Sequence, residues 1–410
     1  MIPYPTDQRR RRASATAAIG LLFLGLLAQA GTAHGATPAL TLTYLGLVHK
    51  LPAPSAVLTP PIPDDALQGA ELGIADDNTT GRFLNQAFTL AHILSPDPAA
   101  LLKDFDAAIK SGQRLFVVDA PATLLLKMAD SSGAENALIL DATSQDDALR
   151  GADCRHNLLH TLPDRAMLTD ALMQYLVSKN WRRIMLLVGK TPEDALYATA
   201  IRHSAAKFQI RIVADRPWTF NAAAQQADTG HYEVNAEVND VTQGPNYDVL
   251  AVADEEGNFG NQVAYRTARP RPEAGTQGLV AQAWSPVMDE YASTELQLRF
   301  RHQAGRDMNN QAYGAWLATR ALGESATRTG SLDPTKIIAY IRGPQFELSG
   351  YKGPPFSFRP WDGQLRQPVL LADTMSLVSV APLPGFLHQT NTLDTLGTDQ
   401  PETTCHMPSP

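Results

Sequence analysis

The 410-residue sequence predicts an α/β protein built on two mainly parallel sheets. From Leu40 onward, short apolar runs alternate with amphipathic stretches of roughly 10–20 residues, the pattern of βαβ units. The length, at roughly 100–200 residues per domain, corresponds to two domains or slightly more. A hydrophobic content of 44% suffices to fill their cores. No repeat at a period of roughly 20–50 residues points to a solenoid or propeller.

The elements follow in order. Leu40–Val48 (LTLTYLGLV) reads as the first strand, and a Pro-rich loop runs from Leu51 to Pro63. Ala66–Asp76 reads as a helix, and turn chemistry accounts for Asp76-Asp77-Asn78-Thr79-Thr80-Gly81 after it. That stretch is no EF-hand, because Ala87 stands where a bidentate Glu is required. Asp97 as N-cap and Pro98 at the first helical position open a helix with Leu101, Leu102, Phe105 and Ile109 on one face, which Gly112 stops. Strands follow at Leu115–Val118 and Ala137–Leu140. After Pro163, Met167, Leu168, Leu172, Tyr175 and Leu176 form a helical stripe leading to the strand Ile184–Val188. Pro192–Phe208 is a helix, and Ile210–Ala214 and Val249–Ala253 are strands. A domain boundary falls near Leu158–Pro163 and a return crossing near Gly275–Ser285. Pro344–Pro382 reads as short strands and loops, and the tail beyond Pro384 has little periodicity.

The ends of the chain carry separate signals. Arg9 to Arg12 precede the small and apolar run Ala13–Leu27, and Ala28-Gln29-Ala30 and Ala33-His34-Gly35 are candidate cleavage sites. A charged region, a short apolar core and a small-residue end describe a secretory signal over residues 1–35. The apolar core is shorter than the ~20 residues of a membrane span, so no direct membrane anchor is expected. Residues 1–35 hold four Arg and one Asp, so their removal takes the net charge from −8 to −11. That acidity argues against nucleic acid as a partner. Cys154 and Cys405 are the two cysteines, and an oxidising compartment favours a structural bridge between them, fastening the tail to the body.

Ligands of open α/β sheets bind outside the carboxyl ends of the strands. Here those ends read Asp119-Ala120-Pro121-Ala122-Thr123, Asp141-Ala142-Thr143-Ser144, Gly189-Lys190-Thr191 and Asp254-Glu255-Glu256-Gly257-Asn258. Each offers oxygens or free backbone N–H groups, while an Asp after a strand equally serves as N-cap of the next helix. Motifs for a nucleophile elbow, a phosphate loop, a dinucleotide fingerprint or a zincin helix are missing, and His156 and His160, four apart, lack a third ligand in sequence. No cofactor is expected. Trp284, at the return crossing, reads equally as cleft lining or packing; Tyr313 and Trp316, three apart on a helix, read as core.

Four segments in order carry a family resemblance: Tyr265–Trp284 (YRTARPRPEAGTQGLVAQAW), Gly305–Arg328 (GRDMNNQAYGAWLATRALGESATR), Phe358–Leu371 (FRPWDGQLRQPVLL) and Gly385–Gly397 (GFLHQTNTLDTLG). Through them the chain resembles type 1 periplasmic binding proteins of the branched-chain amino-acid class. Within that class it is most similar to the substrate-binding subfamily associated with PQQ-dependent alcohol dehydrogenase systems. The resemblance implies two Rossmann-like lobes joined by a multi-crossing hinge. Lobe 1 would hold residues 36–160 and 283–343, lobe 2 residues 161–282 and the return strands 344–383, and 384–410 would form the tail. It implies a non-enzymatic receptor for a small solute, with the permease and ATPase subunits of an ABC importer as partners.

The expected ligand set is Asp119, Ala120, Thr123, Asp141, Thr143, Ser144, Lys190, Asp254, Glu255 and Trp284. Relatives that bind amino acids usually read Gly-Pro-x-x-Ser where this chain has Asp119–Thr123. An acid there disfavours a ligand carboxylate and suits an amine or a cation. A hard metal ion held by Asp119, Asp141, Asp254 and Glu255 is one alternative. A ligand-sensing or accessory protein of the same fold, feeding no importer, is another, and an alcohol-oxidation subunit is a third.

Overall fold

The computed structural model describes residues 39–48, 62–218 and 230–407. The expected signal segment and nearly all of the Pro-rich loop lie outside them. Five strands build the first sheet: β1 (Ala39–Leu47), β2 (Ala87–Ser95), β3 (Leu115–Asp119), β4 (Leu138–Asp141) and β5 (Leu158–His160). Their order is β2-β1-β3-β4-β5 and every pair is parallel. Helices α1 (Asp65–Leu84), α2 (Pro98–Lys110) and α3 (Ala122–Ala129) connect them. Asp97 caps α2 as its sequence suggests, accepting the Ala99 N–H at 3.0 Å.

Two elements differ from the sequence reading. Helix α1 runs on through Asp76–Gly81, which is no turn. Arg299 and the Trp316 indole bind Asp76, and Arg320 binds Asp77, so partners from elsewhere in the chain override weak helix propensity. Strand β2 escaped the reading because it is an edge strand. Most of its side chains stay exposed or half-buried, with only Phe88 and Ser95 buried, so neither alternation nor an apolar run marks it.

The second sheet contains β6 (Arg183–Val188), β7 (Arg211–Pro217), β8 (Val249–Ala253), β9 (Glu273–Gly275), β10 (Leu279–Gln282), β13 (Val369–Ala372) and β14 (Leu377–Ala381), in the order β14-β13-β10-β9-β8-β6-β7. The strands β7 to β10 run parallel, and β13 and β14 add an antiparallel edge. Helices α4 (Arg165–Ser178) and α5 (Pro192–Lys207) cover one face, where Met167, Leu172, Ile201, Leu186 and Val249 share a core. Val238 of α6 (Gly230–Thr242), Tyr247 and Phe259 pack on the other face with Leu187 and Val252.

After β10 the chain returns to the first sheet as α7 (Ser293–Ala304), α8 (Asn310–Thr329) and α9 (Pro334–Ile341). Helices α1 and α8 touch backbone to backbone: a Cβ at Gly69 would overlap the Ala312 carbonyl. Phe346, Leu348, Phe356 and Leu365 also lie in the first sheet's core. The small hairpin of β11 (Ser357–Phe358) and β12 (Leu365–Arg366) belongs with them. The expectation placed residues 344–383 in the second lobe, whereas these side chains pack in the first sheet's core. The chain rejoins the second sheet only at Val369, because the aromatic residues before it fill a core that α8 and α9 leave open.

Candidate ligand-binding cleft

On the first lobe, Asp119 ends β3 and accepts hydrogen bonds from Thr143 Oγ1 at 2.8 Å and from Tyr44 OH at 3.3 Å. Tyr44 comes from the neighbouring strand β1, whose register sets it beside Val117. Burial, and secondly the Asp119 charge, push the Tyr44 phenol above its ordinary range, so it stays a donor. Ala120 is buried beneath this cluster, and Thr123 is exposed in the first turn of α3.

Asp141, expected among the ligand contacts, is fully buried. Its Oδ1 accepts the Thr143 and Ser144 N–H groups at 3.2 and 2.9 Å, and its Oδ2 faces His160 Nδ1 at 2.8 Å and Arg150 at 3.6 Å. It shapes the loop that presents Thr143 and Ser144. Burial and the Arg150 charge hold the His160 pKa below its usual 6.5, so a neutral imidazole donates to Asp141.

On the second lobe, Lys190 is exposed between β6 and α5. Asp254, also expected as a ligand contact, is buried like Asp141. Its two oxygens accept the N–H groups of Asn258, Phe259 and Gly260 at 2.8, 2.8 and 2.6 Å, closing the turn after β8. Glu255 beside it forms a two-pronged ion pair with Arg165, at 2.9 and 2.6 Å. Asp194 holds this corner, since its Oδ1 accepts the Glu255 N–H and its Oδ2 the Thr191 N–H. Burial raises the Glu255 pKa against the opposing Arg165 charge. Asp141 and Asp254 are thus committed to backbone donors. Among the described residues no three His, Cys, Asp or Glu are grouped to hold a metal.

Arg165 joins the carboxyl ends of the two sheets. Its backbone N–H reaches the Gln145 carbonyl of the first lobe at 3.1 Å while its guanidinium holds Glu255 of the second. A cation in the first turn of a helix opposes the helix dipole. That was the signal in the sequence that this position serves a tertiary purpose, and the reading missed it. Tyr44 and Asp194 were missed too, because nothing local distinguishes them from a core tyrosine and a capping acid.

Trp284, expected equally as cleft lining or packing, lies in the core of the first sheet. It is buried, stacks on Tyr313 at 4.7 Å between centroids, and donates its indole N–H to Gln297 at 2.9 Å. Tyr313 and Trp316 continue the stack as core.

Three chain segments cross between the lobes, at residues 161–164, 283–285 and 364–368, and buried side chains lace them together. Lys352 Nζ donates to Ala283 O, Gln367 Oε1 and Pro368 O at 2.8, 2.8 and 2.7 Å. Gln367 in turn donates to Thr161 O at 2.6 Å. Gln364 bridges Arg150 Nε at 2.9 Å and Leu162 O at 2.8 Å.

Next to this lacing, Asp362 is buried. Its Oδ1 accepts the Gln364 N–H, and its Oδ2 sits 3.6 Å from Arg359 without a hydrogen bond. Burial lifts its pKa from 3.8 to about 6, against the Arg359 charge. The folded state therefore holds this proton more tightly than the unfolded chain. The stability it contributes is complete below about pH 4 and is lost as pH rises through 6. Asp362→Asn should flatten the pH dependence of urea unfolding in that window by about 3 kcal/mol at most. Parallel profiles for the two proteins would refute the assignment.

Comparison with known proteins gives the same architecture. A branched-chain amino acid ABC transporter periplasmic ligand-binding protein from Burkholderia xenovorans LB400 superposes with a TM-score of 0.64 at 16% identity, over 83% of this chain and 95% of that one. An amino acid ABC transporter substrate-binding protein from Pseudomonas fluorescens Pf-5 gives 0.67 at 14%, over 91% and 100%. A solute-binding protein from R. palustris, in complex with benzoate, gives 0.63 at 12%, over 90% and 100%. The chain has the type 1 periplasmic binding protein fold. No protein-family model and no curated protein matches the sequence. Cys154 and Cys405 form a disulfide, and no described helix is long and apolar enough to cross a membrane.

Proposed function

We propose that the protein is an exported, non-enzymatic solute receptor that delivers its ligand to the permease and ATPase subunits of an ABC importer. The observation that carries this reading is the pairing of two polar walls on a type 1 binding fold: Asp119 with Tyr44 and Thr143 on one lobe, Glu255 with Arg165 on the other. Differential affinity for the closed state would drive closure. The Arg-rich leader supports export to the periplasm. The four segments that resemble receptors of PQQ-dependent alcohol dehydrogenase systems support a role beside alcohol oxidation. An acid at the end of β3 favours a solute that brings a hydrogen-bond donor or positive group there, with Thr143, Ser144 and Lys190 as further contacts.

Thermal unfolding against amino acids, benzoate, aliphatic amines, short-chain alcohols and acids, and PQQ tests the reading. A ligand at a hundred times its Kd adds roughly 2.7 kcal/mol, or several degrees. Asp119→Asn should weaken an amine-bearing ligand at least tenfold with little change in stability. A ligand bound equally well by Asp119→Asn would remove Asp119 from the site. An entire panel without a shift would sink the receptor reading.

A further inference from the structure

We propose that residues 384–405 form a strap across the hinge, buckled by Cys154–Cys405, so that this disulfide limits how far the cleft opens. The proposal rests on the reading of the protein as two moving lobes and goes beyond any assignment of ligand. The strap starts on the second lobe. Leu383 and Leu396 sit in that lobe's core, and Phe386 packs edge-on against Phe208 at 5.7 Å. Gln174 of α4 accepts the Leu383 N–H at 3.0 Å and donates to Thr395 Oγ1 at 3.2 Å. Gly397 is held from both sides, its N–H by Asp170 at 2.9 Å and its carbonyl by Lys207 at 2.8 Å.

The middle of the strap binds the β11–β12 hairpin, which packs with the first lobe. Asp394 accepts from Arg359 at 2.9 Å and from Arg366 at 2.8 Å, and Trp361 donates to the Thr398 carbonyl at 3.2 Å. The end of the strap is covalent. Cys154 lies just before β5, where Arg155 and Asn157 tie its loop to Asp130, Ala129 and Ala134 of the first lobe. Gly397 and Cys405 are thus fixed to different lobes.

The seven intervening residues, eight Cα–Cα steps from Gly397 to Cys405, reach about 28 Å when fully extended. Here they are shortened by a single helical turn, Gln400–Glu402, whose Asp399 and Glu402 cap one another. His388 holds the same Asp399 at 3.0 Å. Opening beyond the slack left in this segment requires that turn to melt or the disulfide to break. Without the disulfide the strap is held to the first lobe only by the contacts of Asp394 and Thr398 with the hairpin.

The test is small-angle scattering together with hydrogen exchange on the ligand-free protein: oxidised, reduced with a phosphine, and as Cys405→Ser. Reduction and substitution should both raise the radius of gyration, by on the order of 1 Å on the roughly 21 Å expected for this size. They should also speed exchange at residues 161–164 and 364–368. Acceleration confined to residues 398–405, with an unchanged radius, would show that the bond only fastens a tail and overturn the proposal. Cys405→Ser supplies the same readout independently of how far the phosphine reaches the buried Cys405. Neither measurement needs a ligand, so failure of the importer reading leaves this result standing.

Discussion

Lys352→Met is expected to lower the free energy of unfolding by about 3–5 kcal/mol, the range reached when a buried polar network loses its centre. The lysine is fully buried, and each of its three donors has an oxygen acceptor on a crossing segment. The rings of Tyr313 and Phe356 face the ammonium at 4.9 and 5.4 Å and supply further attraction. Burial alone pulls its pKa well below 10.5. Three acceptors occupying three donors describe the protonated form, so we assign the ammonium. Methionine keeps the stem and the packing but strands Ala283 O, Pro368 O and Gln367 Oε1 without a donor. Each stranded buried acceptor costs about 1–3 kcal/mol, partly offset by the easier burial of a thioether. Urea unfolding of the two proteins measures the difference. A loss below about 1 kcal/mol would mean that the crossings are held by their backbones and that Lys352 is incidental.

Trp284→Ala should cost about 3–5 kcal/mol, the usual loss for deleting a large buried aromatic side chain. Three contributions add at this position. The ring is buried in the core of the first sheet, it stacks on Tyr313 at 4.7 Å, and it satisfies Gln297 at 2.9 Å. Tyr313 passes the stack to Trp316, whose indole binds Asp76 on α1, so the vacancy lies at one end of a column joining α8 to α1. The substitution separates two roles that the sequence left equal. A core residue loses stability at every ligand concentration. A cleft residue would lose ligand-induced stabilisation and leave the unliganded melting temperature nearly intact.

Three of the strands legible in the sequence share one property. Leu115–Val118, Ile184–Val188 and Val249–Ala253 lie inside parallel sheets, buried on both faces, and so appear as continuous apolar runs. Strand β2 is as regular but lies at an edge, and its composition carries no such mark. The helix cap Asp97 was legible for a local reason, since it bonds a backbone N–H two residues ahead, and Asp164 and Thr191 cap their helices in the same local way. The same local habit misled the reading of the site. Asp141 and Asp254 follow strands as ligand-binding acids do, yet their oxygens are taken by the loops that they close.

The sequence by itself determined the α/β class, the alternation of strands with helices, the capped helix start at Asp97 and the identity of the two cysteines that pair. Each of these depends on side-chain periodicity, on contacts within a few residues, or on there being two thiols alone. Only the tertiary structure decided which of the strand-end acids face the cleft, that Arg165 spans the two sheets, and that Lys352 and Gln367 bind the crossings together. It also decided that the tail reaches from one lobe to the other. These arrangements join residues dozens to hundreds of positions apart. A carboxylate's role is set by whichever donors reach it first, and that order is a property of the folded chain.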